Sequence, residues 1–216
     1  ALDAALGGFD QREILRYLRS ALSPLDPDTC DMMENYAILW GIRGVQWNSD
    51  WDYHPGGLGE IWDNNAHEQL RLLNDARQAV IAPLYRLRRG FQDAINVHDQ
   101  VMALYHFLED IHLADTLGRM ARDMDDNGDN RSAQILNQLW EILISALEQM
   151  HDVLGQTRWE AEHFTRLFRL LLSQYDVGTI PPVLDSVTAG SVSAMRCQQI
   201  NHLIVMGALE GDLPGY

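Results

Sequence analysis

Residues 131–154 read RSAQILNQLWEILISALEQMHDVL. Ile135, Leu139, Ile142, Leu143, Ala146, Leu147 and Met150 recur at the three- and four-residue steps that line one face of an α-helix. Gly155 stops the pattern, as glycine does just past a helix end. A long helix with one apolar stripe must have other helices to cover it, so this stretch sets the class of the fold.

Reading outward, the same texture continues on both sides. Downstream, Thr157-Arg158-Trp159-Glu160 has the form of a capping box and leads into a helix carrying Phe164, Leu167, Phe168 and Leu171. Upstream, Leu113–Met124 and Val97–Leu108 give two shorter helices. Asn64–Arg89 gives a long amphipathic one through Leu70, Leu73, Ala76, Val80 and Leu84. Pro83 lies inside it and predicts a kink or break near Val80. Near the N-terminus, Asp10-Gln11-Arg12-Glu13 precedes Ile14, Leu15 and Leu18 in a capping-box pattern. Asp26-Pro27 then offers an N-cap followed by proline at the first helical position. That second helix is expected to reach about Trp40, with Gly41 as its stop. Residues 41–59 form a glycine-rich loop holding Trp47, Trp51 and Tyr53, aromatic enough to pack onto its own domain. The expectation for residues 1–177 is a mainly α bundle of about six to eight helices.

The texture changes at Gly178. Ile180-Pro181-Pro182 cannot continue a helix, and Val187–Val192 and His202–Met206 have the composition of two short β-strands, with Gly207, Gly211 and Pro214 after them. Two strands do not make a stable sheet by themselves, so residues 178–216 read as the start of a second, α/β unit.

The composition narrows the function. Of 216 residues, 46% are hydrophobic and 22% charged, an ordinary globular balance. Sixteen basic against thirty-one acidic residues leave a net charge of −15, which excludes a dominant grip on bare nucleic acid through its phosphates. No apolar run approaches a membrane span, and no basic-then-apolar leader opens the chain, so a cytoplasmic location and no membrane partner are expected. Ala1-Leu2-Asp3 lacks an initiator methionine, which suggests a processed chain or an excised piece. Cys30 and Cys197 are too few for a disulfide framework or a zinc site.

No motif supplies chemistry. Asp123, Asp125, Asn127 and Gly128 imitate the start of a calcium loop, but Gln134 stands where the bidentate glutamate belongs and Asn130 where an aliphatic side chain does. A solvated acidic turn is the better reading. His98 and His106 are two helical turns apart, too far for a first-choice ligand pair, and no His-Glu-x-x-His, phosphate loop or Gly-x-Ser-x-Gly occurs. Glu160, Glu162 and His163 open a helix, where carboxylates usually answer its dipole. The expectation is therefore no catalytic, cofactor-binding or metal-binding residue. Arg43, in a glycine-flanked turn with Gly44, is expected to bond the helix-end carbonyls, and Trp47 to cover neighbouring helices.

Two segments carry a resemblance. One is Phe9-Asp10, Ile14–Leu18, Glu34-Asn35-Tyr36 and Tyr36–Gly44, with Trp47 three residues on; the other is Ile180-Pro181-Pro182, Leu184-Asp185, Val187, Arg196, Leu203–Gly207, Glu210-Gly211 and Pro214. Together they resemble the B subunit of the AddAB-type ATP-dependent helicase–deoxyribonuclease, which resects DNA double-strand breaks. Arg19-Ser20 departs from the Lys-Thr of the family pattern. The family protein exceeds a thousand residues, so the resemblance implies an internal fragment. It implies that residues 1–177 are the helical insertion of a degenerate superfamily 1 helicase, and that 178–216 return into its second RecA-like domain. Ser191–Arg196 lacks the Lys-Gly-Leu-Glu of active helicases, in keeping with a scaffold rather than a motor.

The resemblance implies structural roles for Arg43, Gly44, Trp47, Pro181, Arg196, Gly207 and Gly211. The family's ATP, magnesium and iron–sulphur cluster would be bound elsewhere, with no cofactor in this piece. The implied function is a non-catalytic, partner-contacting domain in break repair by homologous recombination. Its partner would be the motor/nuclease subunit of the same heterodimer, and DNA would be reached through the full complex. The alternative is a free-standing helical adaptor module with a small β appendage.

Overall fold

Five of the helices begin where the sequence supplies a capping side chain. The Asp26 carboxylate accepts the Thr29 backbone N–H at 3.0 Å, with Pro27 in the first turn. Asp63, Asn96 and Asp129 do the same for Ala66, Asp99 and Ser132. In the computed structural model residues 1–175 and Ile204 are described. The chain divides into two units, Ala1–Thr179 and Ile180–Tyr216. The described part of the first holds eight α-helices: α1 (Leu2–Leu6), α2 (Gln11–Leu18), α3 (Pro27–Leu39), α4 (Asn64–Asp93), α5 (Val97–Asp110), α6 (Leu113–Asp126), α7 (Asn130–Leu154) and α8 (Ala161–Leu172). A 3-10 turn, Gly44–Asn48, lies between α3 and α4. No strand occurs among the described residues. The strand pair expected after Gly178, with Pro181, Arg196, Gly207 and Gly211, lies outside them, save that Ile204 is in no strand and is exposed.

α4 packs against α1, α3, α5 and the 3-10 turn, and α7 against α5, α6 and α8. The core runs between these two long helices, with Ile81, Leu84, Leu87, Val97, Met150 and Phe164 fully buried. α4 and α5 meet closely enough that a Cβ on Gly90 would lie 2.6 Å from that of Ala103. Only glycine fits there.

Three local expectations are corrected. The break expected near Val80 does not occur: α4 is continuous through Pro83, the missing N–H costs one bond, and Val80, Ile81, Pro83 and Leu84 are buried around it. α8 starts at Ala161, after Glu160, rather than after Thr157. The reason is tertiary: the Thr157 carbonyl accepts the Val97 N–H at 2.9 Å at the start of α5, so Thr157 is held out of the helix. At α2, Asp10 accepts from the Arg12 N–H, but Glu13 bonds Arg16 instead of closing a capping box.

Candidate functional site

The segment from Gly41 to Trp62 is the least regular and most aromatic part of the described chain, and it is built on the end of α3. Gly41 adopts φ 62°, which lets the Gly41 N–H reach the Ile38 carbonyl (3.3 Å) and the Ile42 N–H reach Ala37 (2.9 Å). This is a Schellman ending, and it needs the left-handed glycine. The Gln11 side chain adds a second donor to Ala37 at 2.7 Å. The helix-end carbonyls are thus already served, and Arg43, exposed and extended, donates its backbone N–H to Gln46 instead. Gly44, at φ 57°, donates its N–H to Phe9 at 3.1 Å, joining this turn to the start of α2.

Behind the turn lies a buried aromatic cluster. Trp47 is fully buried and meets Trp51 at 5.5 Å, and Trp51 stacks on Tyr36 at 4.6 Å. α4 supplies the polar side of this cluster. Asn74 accepts the Trp51 N–H (2.8 Å) and donates to the Trp51 carbonyl (2.9 Å), the exchange a neighbouring β-strand would make. Arg77, only 5% exposed, donates to the Trp47 carbonyl (3.0 Å), to Asn74 (3.2 Å) and to Asp50 (2.5 Å). Burial lowers the Arg77 pKa and the Asp50 carboxylate opposes that shift. Arg77 is absent from the expected site residues. Its signal is an arginine set among Leu73, Ala76, Val80 and Leu84 on the apolar stripe of α4.

The outer side of the same loop is a surface. The Tyr36 hydroxyl accepts the Tyr53 N–H and donates to the Tyr53 carbonyl, both at 3.1 Å. Burial pushes that phenol up to about 12, the Tyr53 backbone bond opposing. Trp40 donates its indole N–H to the His54 carbonyl (3.1 Å) and stacks on Tyr53 at 4.6 Å.

Elsewhere the candidate chemistry resolves into structural contacts. Asp123–Asp126 end α6, Asn127 bonds back to the Asp123 carbonyl, Gly128 turns the chain at φ 81° and Asp129 caps α7. His98 faces His151 of α7, ring centroids 4.9 Å apart, while His106 bonds Glu109 at 3.2 Å. Glu162 pairs with Arg166 at 3.0 Å. Asp3 joins Arg169 (2.6 Å) to Arg16 (3.3 Å), and the Arg169 bond holds its carboxyl below the ordinary range. Among the described residues no three histidine, cysteine or acidic side chains gather as a metal site, and no helix is long and apolar enough to cross a membrane.

No protein-family model matches the chain. Curated proteins named as the B subunit of an ATP-dependent helicase/deoxyribonuclease match nearly all of it. That of Clostridium botulinum strain Hall is 31% identical over 216 residues, covering 99% of this chain and 19% of the relative. The chain fits a fragment of this protein. The B subunits of Caldanaerobacter subterraneus and Clostridium acetobutylicum are each 27% identical, over 97% and 99% of the chain and 18% and 19% of their own lengths. The chain spans about a fifth of the length of the curated relatives it matches. The aromatic cluster and the ion-paired helix ends therefore lie within a segment homologous to one part of those larger proteins.

Proposed function

We propose that this chain is a non-catalytic structural and partner-contacting segment of the B subunit of an ATP-dependent helicase/deoxyribonuclease, acting in the repair of DNA double-strand breaks by homologous recombination. The observation that carries this reading is the continuous similarity to such a B subunit over 99% of the chain at 31% identity. Residues 1–177 serve as the helical insertion of a degenerate superfamily 1 helicase, and 178–216 return into its RecA-like domain. Pro181, Arg196, Gly207 and Gly211 would shape that return. Arg43, Gly44 and Trp47 fix the corner between α3 and α4. ATP, magnesium and an iron–sulphur cluster belong to other parts of the parent complex, which works in the cytoplasm.

The charge supports a protein partner over direct contact with DNA: at −15 the chain gains little from neutralising phosphates. Its shifted carboxylates are spent on structure, Asp3 on Arg169, Asp26 on Thr29 and Asp129 on Ser132. The decisive experiment is co-expression of the tagged chain with the other subunit of the heterodimer. Stoichiometric recovery of that subunit is expected, and the chain alone should hydrolyse no ATP and cut no linear duplex. Failure to recover the subunit, or turnover abolished by one substitution within this chain, would overturn the reading.

A further inference from the structure

Exposed apolar side chains and stacked rings gather on the 41–62 corner. Trp40 stacks on Tyr53 (4.6 Å), His54 meets Trp62 edge-on (4.7 Å), and Trp62 stacks on His67 (4.7 Å). Beside these rings Leu39, Leu58 and Ile61 are 52%, 92% and 86% exposed, and Tyr53 and Trp62 are 46% and 40% exposed. Single exposed apolar side chains are ordinary; five around one loop mark an interaction site.

The loop that carries them is braced from within. Tyr36 clamps the Tyr53 backbone, and Trp40 holds the His54 carbonyl. The His54 ring takes the Gly56 N–H on Nδ1 at 2.9 Å and sets Nε2 3.3 Å from the Ile61 carbonyl, closing the 54–61 segment. The Leu39 methyls lie 3.8 and 4.0 Å from where a Gly57 Cβ would be, so the loop also rests on α3. A surface ordered in advance loses little entropy when it binds.

The charges around it choose the partner. Residues 41–70 contain Asp50, Asp52, Glu60, Asp63 and Glu68 against one cation, Arg43, so the rim is acidic on balance. Asp50 is engaged by Arg77, Asp63 by the α4 N-terminus, and Glu68 by Arg71 at 3.6 Å. Asp52 and Glu60 have no basic partner among the described residues and stand in the same loop as the apolar side chains. Stacked rings can also bind single-stranded nucleic acid, but only with a positive groove for its backbone, and this rim is negative. An apolar face with an acidic rim complements an apolar segment flanked by cations.

We propose that Leu39, Tyr53, Leu58, Ile61 and Trp62 form a docking surface for a polypeptide segment that presents apolar side chains flanked by lysine or arginine, with Asp52 and Glu60 receiving its charges. The proposal rests on the partner-contact reading above for which polypeptide supplies the segment. The probe is a fluorescein-labelled amphipathic Leu/Lys helix, titrated into the full chain and followed by anisotropy. Leu58→Asp with Ile61→Asp is expected to weaken binding about tenfold or more, as loss of a central apolar anchor does. Asp52→Asn with Glu60→Gln should weaken it severalfold and lessen its salt dependence. Asp125→Asn with Asp126→Asn, on the distant α6–α7 turn, should leave it unchanged, and circular dichroism should report the same helicity for all three variants.

Unchanged affinity in the Leu58/Ile61 variant, an equal loss in the α6–α7 control, or displacement of the peptide by oligothymidine would each overturn the surface. In co-expression with the other subunit, the Leu58/Ile61 variant should recover markedly less of it. Full recovery with that variant would overturn this surface and leave the partner-contact reading standing. No recovery with the unsubstituted chain would overturn that reading, while the peptide titration still decides the surface.

Discussion

The corner at 41–62 and the α6–α7 hairpin invert the usual relation between regularity and burial. The hairpin contains two of the most periodic helices in the chain, yet residues 122–131 at its tip are exposed throughout, and small residues, Ala121 and Ala133, make its nearest buried contact. The corner has one short 3-10 turn, yet it buries Ile42, Trp47 and Trp51 and draws a buried arginine from α4. Periodicity reports which face of a helix is apolar; it does not report how much that face buries. Large rings and backbone groups bonded by side chains decide that, and here they sit in the loop.

The sharpest way to break this comparison is to empty the corner. Trp47→Ala removes a fully buried indole whose N–H has no acceptor among the described residues, so its contribution is packing. The expected cost is about 3–5 kcal/mol, a fall in Tm on the order of 10 °C for a domain this size. An unchanged Tm would move the stabilising weight elsewhere.

Arg77 tests the polar half. Arg77→Met keeps the aliphatic stem but strips donors from the Trp47 carbonyl, Asn74 and Asp50. Asp50 is largely exposed and stays solvated, so the loss falls on the buried carbonyl and the expected cost is about 1–3 kcal/mol. Arg77→Lys should recover only part of it, because one ammonium cannot copy a fork that reaches three acceptors. A full recovery would show that charge alone matters.

Tyr36→Phe is milder, about 1 kcal/mol at neutral pH for the bonds lost to the Tyr53 backbone. Its pH dependence carries a sign. Burial raises the Tyr36 pKa, as it does that of Tyr17, from 10.0 to about 12. A raised folded-state pKa gives stability that is complete below pH 10 and lost as pH climbs through about 12. Alkaline unfolding across that window should be shallower in Tyr36→Phe, and an identical slope would refute the assignment.

These residues also show what a single sequence exposes. α3 is legible from Asp26-Pro27 to Gly41, and α7 from its stripe, because caps and stripes are local. α1 escapes, since five residues from Leu2 to Leu6 hold too little period to register. α8 is expected too early because Thr157 has every mark of an N-cap and spends its carbonyl on Val97 instead, a partner 60 residues away in sequence. Arg77 and the His98–His151 pair escape for the same reason: what defines them is a neighbour distant in the chain. The aromatic loop is expected to pack inward, and it divides. Trp47 and Trp51 turn in, while Tyr53 stays at the surface. Composition alone cannot make that division; hydrogen bonds from Tyr36, Trp40 and Asn74 do.

The smallest effects belong to the hairpin, where the comparison is sharpened by what fails to happen. Asp129 caps α7 through the Ser132 N–H, and its bonds to Ser132 hold the carboxyl below its ordinary 3.8. A depressed folded-state pKa gives stability that is present above the ordinary value and lost as pH falls through the folded one. Asp129→Ala should therefore lower Tm by about a degree or two at neutral pH, with the difference fading in acid, while Asp129→Asn, an equally good cap, should be nearly silent. Asp125→Ala, on the exposed tip, should change nothing measurable. The same variant tests the calcium-like spacing. Asp125 lies in the last turn of α6 and Asp129 already serves the α7 cap, so a cation would have to unwind one helix and uncap another. Calorimetric titration with calcium should show nothing tighter than about millimolar. A micromolar site lost in Asp125→Ala would mean that the turn rearranges around an ion, and that the hairpin, rather than the aromatic corner, carries this segment's ligand.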